Sequence, residues 1–407
     1  MLQQTSGFLI QPMSLKRSSS HLLPNNPHPQ KSQKKHHTQT HPPLSSLLDF
    51  SHLSSQADIY SRFTQLSQSL LNHYTLLLLR QGLEIEYDIL EIEFYLLKEG
   101  CHEDPYTHGA EEQRSSGRWC VSLVLFSSFL HDLYYILRYF HRAPGTRSAS
   151  ESPTTAAGGY RGGTRKGLDL TIAGPITSPY FSTSTSPPPP LLRGGILLRT
   201  IQRKSDSTVI SGPSLLVDEI LKSHNVRNIS ELVHSVWGGD TLALPPTATT
   251  TSSSCTLSLQ PKSTTTAAGT ATVYTSPRIG LDLSHPSVKN SNTDPRIIFL
   301  AKRYRHFVHP HLLTSNGKAH TFLGVFQTCK ESSSSSDRHA LEETIKLTGL
   351  KPQTALKYFT EYSDALQNSK SRIDSFIGPS GKGASASPST YLKMMGALVK
   401  SLEIADK

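Results

Sequence analysis

The first 45 residues contain no aspartate and no glutamate, and the whole 407-residue chain holds four cysteines and two tryptophans. Cys101, Cys120, Cys255 and Cys329 are scattered with no C-x-x-C pair. That excludes a disulfide scaffold and a zinc site of the cysteine type, and points to a reducing compartment. Glycine follows no three-residue period, which excludes collagen, and no heptads run long enough for a coiled coil. No secretory signal is evident at the N-terminus. Large apolar side chains are scarce in residues 143–165, 177–193, 245–275 and 331–337, which are runs of Ser, Thr, Pro, Gly and Ala. Such runs bury too little apolar surface to offset the entropy of ordering them. A chain of this length predicts two or three domains at about 150 residues each. With those runs set aside, what remains suffices for one sizeable core and a small helical annex.

The formal net charge is +10. Basic proteins attract phosphate backbones and anionic membranes. Lys16, Arg17, Lys31, Lys34 and Lys35 lie in the acid-free tail of residues 1–45, among Ser, Gln and five histidines. The composition predicts a disordered basic tail. Lys31 to His37 (KSQKKHH) reads as a weak nuclear-import or nucleic-acid patch, and an acid-free N-terminus also suits a mitochondrial transit peptide. The expected location is the nucleus, with mitochondrion or cytoplasm as alternatives.

The nearest approach to a membrane span is Cys120 to Leu137 (CVSLVLFSSFLHDLYYIL). His131 and Asp132 interrupt it, and charge near a bilayer centre costs several kcal/mol, on the order-of-magnitude scale. The interruptions favour a buried helix over a span, and no membrane association is expected. An inserted segment is a third reading, because without it Gly117-Arg118-Trp119 runs directly into Tyr139-Phe140-His141-Arg142.

The organised part begins at Asp58. Ile59, Phe63, Leu66, Leu70 and Leu71 recur at helical spacing and predict an amphipathic helix over 58–78. Leu83 to Leu97 (LEIEYDILEIEFYLL) then alternates apolar and acidic residues, which predicts a hairpin or one long strand. At Ile92-Glu93-Phe94-Tyr95 a carboxylate is enclosed by large apolar neighbours: it faces solvent from an edge strand, or it is kept at a site. His102-Glu103-Asp104-Pro105-Tyr106-Thr107-His108 has metal-ligand residue types, but Asp-Pro turn chemistry accounts for it more simply, and no metal or other cofactor is expected. Gly167–Ile172, Gly194–Ile201, Pro277–Leu283 and Arg303–Val308 read as further strands. Arg199, in an apolar strand, needs a carboxylate or phosphate partner. Ser211-Gly212-Pro213-Ser214 opens a helix through Leu221 with proline in the first turn, and Asn228–Trp237 reads as a second short helix. After residue 336 three amphipathic helices follow: one capped by Asp337 and stopped at Gly349, one begun by Pro352, one marked by Tyr391, Met395, Leu398 and Leu402. The glycine-rich turn Gly378–Gly383 lacks the spacing of a phosphate loop and reads as a linker.

Taken in order, these segments resemble the alkyladenine (3-methyladenine) DNA glycosylase family. The resemblance is carried by Glu91-Ile92-Glu93-Phe94-Tyr95 and Glu103-Asp104-Pro105-x-Thr107-His108. It continues through Leu197-Leu198-Arg199, Ser211-Gly212-Pro213-Ser214, Arg278-Ile279-Gly280 and Tyr304-Arg305-x-Phe307. It spans roughly residues 60–310 and rests on the collinear set rather than on any one piece. It implies that Glu93 activates water against the glycosidic carbon and that Tyr95 walls an aromatic base pocket. His108 would contact the flipped base, and Arg199 would position the water or a phosphate. A buried carboxylate can orient water and stabilise an oxocarbenium-like state, and a flipped base needs an aromatic slot on a basic surface. The chain departs from the family between Tyr160 and Ala173. Aligned on Gly167, the inserting wedge falls on Lys166 and the selectivity asparagine on Ala173. Aligned on Tyr160, the tyrosine is kept and the asparagine is again unmatched. Tyr160 and Lys166 are therefore candidate pocket and DNA-binding positions in a divergent member.

The expected fold is a mixed α/β single domain with a curved, mainly antiparallel sheet flanked by helices, over residues 46–330. A disordered tail precedes it and a helical extension, 331–407, follows. The expected activity is that of a monofunctional DNA glycosylase excising alkylated or deaminated purines, with DNA as partner. A non-catalytic nucleic-acid-binding protein on the same scaffold, and a hydrolase of free nucleosides, are the alternatives.

Overall fold

A computed structural model of the chain describes residues 43–107, 111–120, 166–175, 191–244, 255–262, 270–332, 336–368 and 372–405. The basic tail, all but the first residue of the 120–137 apolar stretch, His108 and Tyr160 lie outside the described residues.

The architecture is mixed α/β, with one unclosed antiparallel sheet organised about a single long strand. Tyr74–Arg80 (β1) and Leu83–Lys98 (β2) form a hairpin closed by Gln81 and Gly82, at φ 47° and 83°. A two-residue turn with both φ positive matches the right-handed twist of its strands, and glycine adopts it without strain. The strand β2 runs 16 residues. One edge pairs with Leu192–Arg203 (β6) along almost its full length. The other edge is shared: β1 takes its first half and Arg305–Phe307 (β10) takes Glu91, Ile92 and Glu93. Trp119–Cys120 (β4) and Leu168–Thr171 (β5) extend the sheet beyond β6, and Cys255–Pro261 (β8) extends it beyond β1. Shorter pieces complete it: His102–Glu103 (β3) on β2, Val209–Ser211 (β7) on β6, and Tyr274–Ser276 (β9) on β10.

Helices cover this sheet. Gln56–Gln68 (α2), preceded by the one-turn helix Leu44–Leu47 (α1), starts at Ser55, whose hydroxyl accepts from the Asp58 N–H at 3.1 Å. Such a cap satisfies an otherwise orphaned donor. Phe63 of α2 stacks on Phe94 with centroids 4.3 Å apart. Pro213–His224 (α3) buries Leu216, Val217 and Ile220 and ends at Asn225 in the left-handed conformation. Pro295–Ala301 (α4), Lys318–Ser332 (α5), Asp337–Thr348 (α6), Pro352–Gln367 (α7) and Pro388–Ala405 (α8) follow. They build a second core in which Leu283, Ile297 and Leu300 pack with Phe322, Tyr391 and Leu398.

Four expectations need correction. The helix predicted over 58–78 ends at Gln68, passes through a π-helical turn at Ser69–His73, and residues 74–78 belong to β1. A run of four leucines carries no period, so only the pairing with β2 decides its state. Pro277–Leu283 is a loop, and the strand lies just before it in β9. The loop spends its polar groups on buried side chains rather than on a ladder, as shown below. Within the low-complexity run 245–275, Cys255–Pro261 is an ordered edge strand that buries Leu257 and Leu259 against β1. The cap of α6 is Ser336, whose hydroxyl accepts from the His339 N–H, rather than Asp337.

Candidate active site

Alternation along β2 places Glu91, Glu93 and Tyr95 two residues apart on one face. The neighbouring strands decide what that face meets. Arg199 projects from β6 on one edge and Arg305 from β10 on the other, where it pairs in register with Glu93. The register of β2 against β6 shifts around Glu91, the kind of irregularity that re-aims side chains next to sites.

Glu93 is wholly buried. One oxygen, Oε1, accepts from the Ile279 N–H at 2.7 Å. The other, Oε2, accepts from Tyr95 Oη at 2.9 Å and from Arg199 Nη1 at 3.2 Å. Glu91, also buried, accepts from Arg305 Nε at 2.6 Å, from Arg199 Nε at 3.2 Å and from the Thr200 hydroxyl. Arg199 thus bridges the two carboxylates. Arg305 continues to Ser276 Oγ at 3.0 Å and to Thr321 Oγ1 at 2.9 Å.

A second ion pair supports the first. Arg278 and Asp104 are both fully buried and bonded through two oxygens, at 2.5 and 3.1 Å. The Arg278 guanidinium also donates to the Phe94 carbonyl at 3.0 Å and lies 4.5 Å from the Tyr95 ring centre. It therefore fixes both groups that flank Glu93: the Tyr95 ring directly, and the Ile279 N–H through the adjoining backbone. This is why 277–283 is no strand. Its neighbour Gly280 adopts φ 85°, a left-handed conformation suited to glycine.

The titration behaviour follows from this packing. Burial alone raises the Glu91 carboxyl, but Arg305 and Arg199 outweigh it and hold the group below its ordinary range. Burial, and then the adjacent Glu93 charge, push the Tyr95 phenol far up, so it stays protonated and donates. Burial lowers Arg199, and Glu93 and Glu91 more than restore it. The result is a rigid carboxylate whose Oε1 takes one hydrogen bond and keeps a lone pair. Such a group can accept a proton from water while Arg199, the Tyr95 hydroxyl and the Ile279 N–H fix its orientation.

Of the residues named from sequence, Glu93, Tyr95 and Arg199 meet here. Lys166 does not join them: its Nζ pairs with Asp218 of α3 at 2.7 Å and its N–H with Ser214 Oγ at 3.2 Å. His108 and Tyr160 fall outside the described residues. Ala173 is buried, with its N–H on Ser116 Oγ. In the loop before His108, His102 and Asp104 are held by other side chains and backbone of the protein. His102 bonds the Leu96 carbonyl at 2.8 Å and Tyr304 Oη at 2.7 Å, and Asp104 holds Arg278. Glu91, Asp104, Arg278 and Arg305 stand in the motifs quoted above, but sequence reasoning assigned them no role. Their common signal is a charge set among large apolar residues.

No protein-family model matches the chain. A segment of 159 residues, 39% of the chain, is 29% identical to an uncharacterized protein of Acanthamoeba polyphaga mimivirus, and the match spans 56% of that viral protein.

Proposed function

We propose that the chain is a DNA glycosylase that removes alkylated or deaminated purines, with Glu93 as the carboxylate that activates water. The observation that carries this reading is the convergence of Glu93 and Tyr95 from β2, Arg199 from β6 and the Ile279 N–H from the loop after β9, three separate segments, onto one buried point. For an alkylated, cationic purine the step balances without another reactant. Water oxygen bonds to the anomeric carbon, the carbon–nitrogen bond breaks, its electron pair neutralises the base, and the water proton passes to Glu93. The Glu93 charge also stabilises the oxocarbenium-like state between these events. DNA is the partner, and the chain's net positive charge of +10 suits a phosphate backbone.

A non-catalytic nucleic-acid-binding protein is the second reading. It is favoured by the complete burial of Glu93 and by the pairing of both acids with arginine. The two readings part on Glu93→Gln, which removes the charge and keeps the size. Single-turnover release of base from alkylated and inosine-containing duplexes should fall by about two orders of magnitude, the scale of losing a general base. DNA affinity at fixed salt should hold, because phosphate contacts carry it. Wild-type protein that binds such duplexes and releases no base supports the binding-only reading.

A further inference from the structure

The C-terminal helical layer leaves one helix face open. Helix α7 gives Ala355, Tyr358 and Tyr362 to the second core. It meets α8 so closely that a Cβ placed on Gly396 would come 2.5 Å from the Tyr362 carbonyl oxygen. Its other side borders a groove of about 790 Å³, walled opposite by Arg372, Phe376 and, from α8, Lys393. Leu356, Lys357, Thr360, Glu361, Asp364 and Ala365 line the near wall. Their spacing is that of one continuous stripe on a 3.6-residue helix. Leu356 is 55% exposed there, although a single exposed leucine decides nothing.

The charges beside it decide more. Lys393 holds Glu361 at 2.9 Å, and Asp374 holds Arg372 at 2.9 Å. Lys357 and Asp364 are left over: among the described residues neither side chain has an ion-pair partner. Seven residues apart on one helix, they stand about 10.5 Å from each other along the axis, too far to pair within one chain.

Reversed, the stripe is its own complement. Lay a second α7 antiparallel on the first, with the two-fold axis between Thr360 and Glu361. Lys357 then falls opposite Asp364 of the second copy, and Asp364 opposite its Lys357. Leu356 falls opposite Ala365, whose small side chain leaves depth beside Phe376 for the leucine to enter. Glu361 faces Thr360, so no like charges meet. A parallel pair would set Lys357 on Lys357 and Asp364 on Asp364, and opposed like charges are costly. An isologous contact demands this reversal symmetry of a surface, and a contact with an unrelated partner does not.

We propose that the open face of α7 is a self-association surface, on which two copies of this chain pair through antiparallel α7 helices. Leu356 of each copy sits in the groove of the other, between two reciprocal Lys357–Asp364 ion pairs. One helix face is smaller than the roughly 800 Å² per partner of a standard interface, so the pair dissociates on dilution. Base release plays no part in this inference, which stands apart from the glycosylase reading.

The test is sedimentation equilibrium of the full chain at low salt, loaded from about 5 to 500 µM, a span that covers micromolar to sub-millimolar affinities. The wild type should show a monomer–dimer equilibrium. Lys357→Glu sets an acid against Asp364 at both ends of the contact and should weaken the dimer at least about tenfold. Asp364→Lys should do the same. The double variant Lys357→Glu/Asp364→Lys restores opposite charges in exchanged positions and should return to within about threefold of wild type. Leu356, Lys357 and Asp364 are exposed, so each variant should melt like the wild type at the lowest concentration. Should Lys357→Glu fail to fold, Asp364→Lys and Leu356→Ala carry the same forecast of a weakened dimer and decide. A chain that stays monomeric throughout overturns the inference. So does a dimer indifferent to the single changes, or a double variant no stronger than either of them.

Discussion

Glu91→Gln is the most informative single change for stability, because Glu91 holds two guanidinium groups at once. Its Oε1 lies 2.6 Å from Arg305 Nε and 3.2 Å from Arg199 Nε. Two charges about 4 Å apart attract by about 4 kcal/mol at an effective dielectric constant near 20. Two such attractions are lost together, while the desolvation of the carboxylate is relieved. Breaking a buried pair by removing one partner costs about 3–5 kcal/mol net, since the opposite charge stays buried. For a domain of this size that corresponds to a fall of about 10 °C in melting temperature.

The pH dependence gives the same prediction a sharper edge. The folded-state pKa of Glu91 lies below its ordinary value of 4.5. Stability contributed by a depressed carboxyl is present above the unfolded pKa and lost as pH falls through the folded one. The gap between wild type and Glu91→Gln should thus be constant from pH 7 to about pH 5 and close at lower pH, where wild-type Glu91 is itself neutral. Urea melts of both proteins at pH 7, 5, 4 and 3 measure it, and other acid-sensitive groups cancel in the difference. A gap under about 1 kcal/mol at pH 7, or one that persists unchanged at pH 3, refutes the electrostatic account of this pair.

Two further outcomes follow. Burial holds His306 neutral down to about pH 3 and also depresses His320, His102 and His224. In the unfolded chain these rings take a proton below about 6.5, so stability is fully present above that pH and declines below it. His306 alone contributes up to about 1.4 kcal/mol per pH unit. Melting temperatures of wild type and a buried-histidine variant, His306→Phe, between pH 7 and 4 check this: the variant should lose stability less steeply on acidification. Gly324→Ala should destabilise the fold by about 1–3 kcal/mol, because its methyl group meets the Thr275 carbonyl at the seam between α5 and β9. A denaturant midpoint equal to wild type would show that the two elements part without cost.

Much of this molecule was legible where local pattern and tertiary context agree. The alternation of Leu83–Leu97 marked β2, and Pro213 with its apolar face marked α3. Glu93 and Arg199 stood out as charges in apolar strands, and the fold joins them at 3.2 Å. The failures are equally physical. Four leucines in a row carry no period, so β1 is decided by its hairpin turn and partner. In β8, Thr256, Ser258 and Gln260 alternate with Leu257 and Leu259, a strand pattern masked by the Ser- and Thr-rich composition around it. Helix α5 has His, Thr, Gly and Gln among its residues; its buried run His320–Phe326 includes polar residues on more than one face, which hides the helical stripe.

The charge network shows why the acid pattern of β2 misleads when read alone. On a strand exposed on one side, alternating acids mark the solvent face. That holds at Glu84, which is exposed, and fails at Glu91 and Glu93, which are buried. The difference lies in what covers the second half of the strand: β10 on the open edge, and the side chains of Arg278, Arg199 and Arg305 around its acidic face. A carboxylate buried away from bulk solvent must find a fixed cation. The cations come from strands and loops far away in sequence, each of them an arginine set among apolar neighbours. Buried acids and isolated arginines are therefore two halves of one signal. In the fold Glu91 meets Arg199 and Arg305, Glu93 meets Arg199, and Asp104 meets Arg278.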